Sequence, residues 1–182
     1  MGTPSLHPPV LFLIVAFSRH EEALAWGLRR AVERYGPLVA ESEPFPFDNT
    51  SYYERDMGPN LFKRVWAFEQ LMPPEELVER KLQTNAWEAE LAATGLFPDA
   101  RPLNLDAGYL TIAKFVLATT KDHAHRIYLG QGIFAEVTLL LNHKHWQAWP
   151  WTFEDYRREP IQNFLWQCRQ WLRQRTEDTH VS

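Results

Sequence analysis

The amino-acid sequence predicts an α+β fold: a β-α-β-β-α-β order, the order of a ferredoxin-like sandwich, followed by a short helix, a β-hairpin and a C-terminal helix. Three observations carry this expectation. An uninterrupted apolar run, Val10 to Phe17, reads as a strand buried on both faces. Two stretches of helical periodicity follow helix-start signals at Ser18 and at Pro73-Pro74-Glu75-Glu76. Two alternating segments, Ala124–Leu129 and Ile133–Leu141, are joined by Gly130-Gln131-Gly132, a loop length and composition that favour a hairpin.

Taken in order, residues 1–9 form a proline-containing tail expected to be loose, and residues 1–182 are read as one domain, a length that fits a single core. After the first strand, Ser18 with Glu21 three residues on makes a capping box, and the helix runs to Tyr35, where Gly36-Pro37 stops it. A second strand starts at Leu38. It leads into Glu41-Ser-Glu-Pro-Phe-Pro-Phe-Asp48 and Tyr52-Tyr53, too rich in proline and acid for a regular inner strand. Leu61–Met72 alternates as a third strand. In the second helix, Val78, Leu82, Ala86, Ala89 and Ala93 are the expected buried stripe, and Lys81, Thr84, Asn85 and Glu88 the expected solvated face. Pro102–Asp106 is a short strand. Tyr109–Thr120 carries both helix and strand signals and is read as a short helix. The last helix runs from Pro160 to Arg175 with Ile161, Phe164, Leu165, Cys168 and Leu172 on one side.

The chain has 182 residues, 45% of them hydrophobic, and a net charge of −4. The charge argues against general nucleic-acid binding, which needs a basic face to displace counterions from phosphates. The eight-residue apolar run is too short to cross a bilayer, and no basic segment precedes it, so neither a membrane span nor a signal peptide is expected. The single cysteine, Cys168, reads as a small apolar side chain and suits a reducing, cytoplasmic setting.

The hairpin yields a geometric expectation. If Leu129 pairs with Ile133, then Ile127 faces Ala135 and Arg126 faces Glu136. Side chains alternate along a strand. Ile127, Leu129, Ile133, Ala135, Val137 and Leu139 then share an apolar face, while Arg126, Tyr128, Phe134, Glu136 and Thr138 share the other. The Arg126–Glu136 pair has two readings. It is a structural cross-strand pair, worth about 0.2–1 kcal/mol when exposed, or it is the floor of a site.

Around it, Lys114, Thr119, Thr120, Lys121, His125 and Arg126 form a cationic cluster suited to a phosphate or carboxylate. The leading expectation is therefore a small anionic ligand on the polar hairpin face. Lys114, Lys121, Arg126 and Tyr109 would bind it, and Glu136, His125 and Asp106 are the candidates for acid–base work. Asp48, Glu41 and Glu43 are further carboxylates that the sequence does not bring together. His123 and His125, and His143 and His145, have the spacing of metal pairs, but the register separates the two pairs, and no metal site or cofactor is predicted. The phosphate loop, the dinucleotide fingerprint, the nucleophile elbow and the zinc-protease motif are absent from the sequence. The alternative is a non-catalytic interaction protein, or self-association, using the tryptophan-rich C-terminal third: Trp146, Trp149 and Trp151.

Three segments resemble a bacterial family known only as a domain of unknown function, of about this length. They are the Glu41–Asp48 segment with Tyr52-Tyr53, Asn104-Leu-Asp106-Ala-Gly-Tyr109-Leu-Thr, and Thr120-Lys-Asp-His-Ala-His125-Arg-Ile-Tyr-Leu-Gly130-Gln-Gly-Ile-Phe-Ala-Glu136-Val-Thr-Leu. Members of that family sometimes carry a GTP-binding label, whose motifs this sequence lacks. The resemblance implies no catalytic residues. The family pattern Asp-Pro-Gly-Tyr is replaced by Asp106-Ala107-Gly108-Tyr109, a change that touches turn rigidity more than chemistry.

Overall fold

The computed structural model describes residues 2–47 and 53–178, with side chains through residue 176. Its elements are β1 (Leu11–Ser18), α1 (Glu21–Tyr35), β2 (Leu38–Glu41), β3 (Phe45–Pro46), α2 (Glu54–Met57), β4 (Phe62–Phe68), α3 (Leu77–Ala93), β5 (Asn104–Leu110), β6 (Lys114–Thr119), β7 (Ile127–Gly130), β8 (Ile133–Asn142), β9 (His145–Ala148) and α4 (Glu159–Asp178). Among the described residues the nine strands form one sheet in the order β2-β4-β1-β5-β6-β8-β7, with β3 on β4 and β9 on β8. Every pairing is antiparallel.

The α+β expectation and its β-α-β-β-α-β start are borne out. Between β1 and β2 lies β4, and between β4 and β5 lies β1, so each crossover helix carries the chain past one intervening strand. The apolar run occupies the middle of the sheet, no residue from Leu11 to Phe17 being more than 1% exposed. Phe12, Ile14 and Ala16 pack with α1 and α3 on one face, and Leu11, Leu13 and Val15 pack with α4 on the other. Burial of each large side chain is worth about 1.5–3 kcal/mol. On α4, Ile161, Phe164, Leu165, Cys168 and Leu172 are buried as expected. Burial pushes the Cys168 thiol up to about 12, which keeps it protonated at neutral pH.

Six local expectations are corrected. The helix expected within Tyr109–Thr120 is the end of β5, a turn at Thr111–Ala113, and β6. The Thr111 hydroxyl accepts from the backbone N–H groups of Ala113 and Lys114, both at 3.0 Å, and so closes the turn. Pairing to β5 and β8 on either side outweighs the mixed local signal. For the same reason Asp106–Tyr109 is strand rather than turn. Gly108 is there because β6 comes close: a Cβ would lie 2.5 Å from the Val116 carbonyl oxygen. Gly108→Ala is therefore expected to destabilise by about 1–3 kcal/mol, lowering the melting temperature by roughly 2–10 °C. A thermal melt checks this, and an unchanged midpoint would contradict the close approach.

Ser18 is the last residue of β1, not a helix cap. Its hydroxyl donates to the Pro102 carbonyl at 2.6 Å and accepts from the His20 N–H at 2.9 Å, while His20 holds the cap position without a side-chain cap. The buried face of α3 is Leu77, Lys81, Thr84, Trp87, Glu88 and Leu91, whereas Ala86, Ala89 and Ala93 are exposed. The large ring of Trp87 and the polar demands of β5 set the rotation of this helix, and small alanines do not compete.

The hairpin keeps Ile127 opposite Ala135, but Gly130, not Leu129, pairs with Ile133, and a second shift leaves Thr138 without a partner between Leu139 and Val137. Ile133, Ala135 and Val137 therefore lie with the α1/α3 core and Leu139 with the α4 core. β7 ends the strand order, and Ile127 and Leu129 are 71% and 43% exposed. The sequence reading missed β9, because the turn before it uses His143 and Lys144 at φ 45° and 68° in place of glycine. That strand buries Trp146 to 7% exposure, which removes it from the expected aromatic surface, while Trp149 is half-buried and Trp151 exposed.

Candidate cation-lined cavity

The site begins with a parting of the sheet. β5 and β6 pair only over Gly108–Leu110 and Phe115–Leu117. Beyond that, Asn104–Ala107 still pair with β1, while Ala118 and Thr119 pair with β8. The β5 edge facing the gap needs partners, and α3 supplies them. Glu88 Oε1 accepts from the Leu105 N–H at 2.7 Å, and Lys81 Nζ donates to the Leu105 carbonyl at 2.9 Å. Two charged side chains thus stand in for the missing strand, which is why they are buried.

Their other contacts extend the network. Lys81 Nζ donates to Asp106 Oδ1 at 2.9 Å, Asn104 Nδ2 donates to Asp106 Oδ2 at 2.9 Å, and Arg101 Nη2 donates to Glu88 Oε2 at 2.7 Å and to Asn104 Oδ1. Burial pushes the Asp106 carboxyl up, but the charge and hydrogen bond of Lys81, with help from Lys63 and Asn104, outweigh it and hold the carboxyl below its usual range. Burial raises Glu88 against the pull of Lys81 and Arg101.

The gap opens into a cavity of about 470 Å³. Lys63 Nζ donates to Asp155 Oδ2 at 2.7 Å, in a pair whose side chains are only 4% and 1% exposed. The ammonium sits 3.7 Å from the centre of the Phe47 ring and 4.9 Å from that of Tyr156. Tyr156 lines the cavity, and its hydroxyl makes no hydrogen bond to any described residue. Burial and the carboxylates of Asp155, Asp106 and Glu136 raise it well above the usual range, so it remains a donor.

The hairpin closes the cavity. Arg126 Nε donates to Glu136 Oε2 at 2.8 Å, and its Nη1 to the Lys121 carbonyl at 2.9 Å. The side chains are 7% and 5% exposed, so this is a buried pair, not an exposed one. His125 Nε2 lies 3.2 Å from the same Glu136 oxygen, and its ring stacks on Trp151 at 4.9 Å. Five cations, Lys63, Lys81, Arg101, Lys121 and Arg126, face two carboxylates, Asp106 and Glu136, among the described lining residues. Arg101 Nε and Nη1 and Arg126 Nη2 have no hydrogen-bond partner among the described residues, which leaves donors for a ligand.

Of the sequence candidates, Arg126, Glu136, Lys121 and Asp106 meet at this cavity, and His125 touches it through Glu136. Tyr109 does not. It lies three residues from Asp106, hence on the opposite face, packed against the α1/α3 core. Lys114 stands at the far end of β6, opposite Leu140. Glu41 pairs with Arg64, and with Glu43 borders a separate groove near α4. Asp48 and Tyr52 fall outside the described residues. His123 and His125 stack on each other, whereas His143 is in the β8–β9 turn. Among the described residues no group of three or more His, Cys, Asp or Glu is arranged to hold a metal ion.

Sequence reading missed Lys63, Arg101, Asn104, Asp155 and Tyr156. One signal was available: Lys63 shares a strand face with Val65 and Ala67, so a lone lysine stood on an apolar face. Lys81 and Glu88 share one helix face at the spacing expected of a solvated one, and the structure turns that face inward.

Fold and site together define an α+β protein in which an extended antiparallel sheet parts to form a cavity rich in cations. The chain belongs to the family described as Domain of unknown function (DUF4416), whose model matches residues 7–172. This bears out the resemblance to a domain-of-unknown-function family of about this length. No curated protein and no solved structure matches the chain. No helix among the described residues is long and apolar enough to cross a membrane.

Proposed function

We propose that this protein binds a small anionic ligand in the cavity between β5, β6 and the β7–β8 hairpin, and that it does so in the cytoplasm. One observation carries the reading. A chain of net charge −4 gathers five cations around one cavity, and although Lys63, Lys81, Arg101 and Arg126 are held by Asp155, Asp106, Glu88 and Glu136, the two guanidinium groups keep donors beyond those pairs. Cations concentrated in a recess attract and hold anions, and the spare guanidinium donors of Arg101 and Arg126 suit the oxygens of a phosphate or carboxylate. The cavity volume falls within the ~300–1,000 Å³ of ligand sites. Asp106 and Glu136, with His125 behind Glu136, are the groups that would exchange protons with a bound ligand.

Thermal shift against inorganic phosphate, pyrophosphate and citrate tests the proposal. A ligand present at about 100 times its Kd is expected to raise the melting temperature by roughly 5–10 °C. Lys121→Ala, a change at a half-buried position, is expected to weaken the binding anion about tenfold. Arg126→Ala should abolish the shift. If no anion stabilises the protein, the proposal is wrong.

A further inference from the structure

The cavity is not cationic throughout. Tyr53, Phe153 and Tyr156 line it together with the buried rings of Phe17 and Phe47. These rings come from different parts of the chain than the guanidinium donors do: Phe17 from β1, Phe47 from just past the end of β3, Tyr53 from the start of α2, and Phe153 and Tyr156 from the turn before α4, rather than from the β5 edge and the hairpin. Phe47 and Tyr156 have the Lys63 ammonium against them. Phe153 is different. Its ring centre is 5.9 Å from Lys63 Nζ, and the residue is 43% exposed while it lines the cavity. Tyr53 stands edge-on to Phe17, with Lys121 Nζ 5.2 Å from its ring centre. An aromatic surface is therefore presented beside the cationic one, and a bare oxyanion would fill only a small part of 470 Å³.

We infer that the ligand's anionic group is attached to a planar aromatic ring. This rests on the anion-binding reading above and adds the class of the rest of the ligand. The anionic group meets Arg101, Lys121 and Arg126, and the ring packs against Phe153 and Tyr53. The Tyr156 hydroxyl donates to a polar atom between the two. Offset or edge-to-face packing against a protein ring favours an aromatic body over a saturated one of the same size.

Calorimetric titration of the whole chain with methyl, cyclohexyl and phenyl phosphate separates the two claims. Phenyl phosphate is expected to bind at least tenfold tighter than methyl phosphate and about threefold or more tighter than cyclohexyl phosphate. Phe153→Ala, at a partly exposed position, is expected to leave methyl phosphate binding unchanged and to reduce the phenyl advantage to threefold or less. Circular dichroism checks that this variant is folded, and Phe153→Leu, which keeps apolar bulk without a ring, should lose the preference of phenyl over cyclohexyl. If all three phosphates bind equally, or if phenyl and cyclohexyl phosphate bind alike, the aromatic inference is overturned while anion binding stands. If none binds, both fall.

Discussion

Replacing Lys81 with methionine is expected to destabilise the protein by about 3–5 kcal/mol, as breaking one side of a buried ion pair does. The Lys81 side chain is 4% exposed and donates both to Asp106 and to the Leu105 carbonyl. The variant leaves a carboxylate without its cation and a strand carbonyl without its donor. At this chain length the melting temperature should fall by roughly 6–20 °C.

The effect has a defined pH dependence. In the wild type the Asp106 carboxyl is held below its usual range. Its contribution to stability is therefore present above the unfolded pKa, about 3.9, and is lost as pH falls through the lower folded value. In Lys81→Met, burial acts on Asp106 with its main opposing cation gone, so its pKa rises. Stability tied to the protonated form is then kept at low pH and lost as pH rises. Glu88 loses a neighbouring cation as well and shifts in the same direction. The difference between variant and wild type should thus narrow as pH drops from 7 towards 3. Adding Asp106→Asn should recover part of the loss at pH 7. Denaturant unfolding at several pH values measures all three, and a gap independent of pH would exclude this role for Lys81.

The second large effect is expected at Lys63. Lys63→Met leaves Asp155, itself 0% exposed, with no counterion, and its Oδ1 already lacks a hydrogen-bond partner among the described residues. The loss should again be about 3–5 kcal/mol, read as a lower urea midpoint. Asp155→Asn in that background removes the stranded charge and is expected to restore stability in part. The position also matters to the site. Asp155 lies between Phe153 and Tyr156, so the ion pair ties β4 to the turn that carries both rings. Anion binding by the folded fraction of Lys63→Met should therefore weaken more than surface variants do. A change of less than about 1 kcal/mol would mean that the pair is solvated and not buried.

These two lysines show where sequence reading stops. Lys81 sits on a helix at the spacing of an ordinary polar face, and only the departure of β6 from β5 turns that face inward. Lys63 alternates onto an apolar strand face, which is legible, but its partner Asp155 is 92 residues away and inside a turn with no periodicity. The Arg126–Glu136 pair was legible because a short loop keeps the two strands near one register: Ile127 stands opposite Ala135 although Gly130, not Leu129, closes the hairpin against Ile133, and the charges follow from Ile127. Its burial was not. Whether a strand's polar side faces solvent depends on what packs over it, and here the turn before α4 does.

What the sequence by itself determined is the set of local and periodic features. A continuous apolar run became the central strand, the helix–strand alternation set the interleaved start of the sheet, and a glycine loop set the hairpin with its facing charges. Tertiary structure alone decided that Tyr109–Thr120 is two strands joined by a turn, that Trp146 is buried, that α3 turns Lys81 and Glu88 inward, and that Tyr109 and Lys114 stand apart from the cavity. The physical reason is the same in each case. Periodicity encodes which residues share a face, but the environment of that face is set by the free energy of satisfying backbone groups and filling volume contributed by segments distant in the chain.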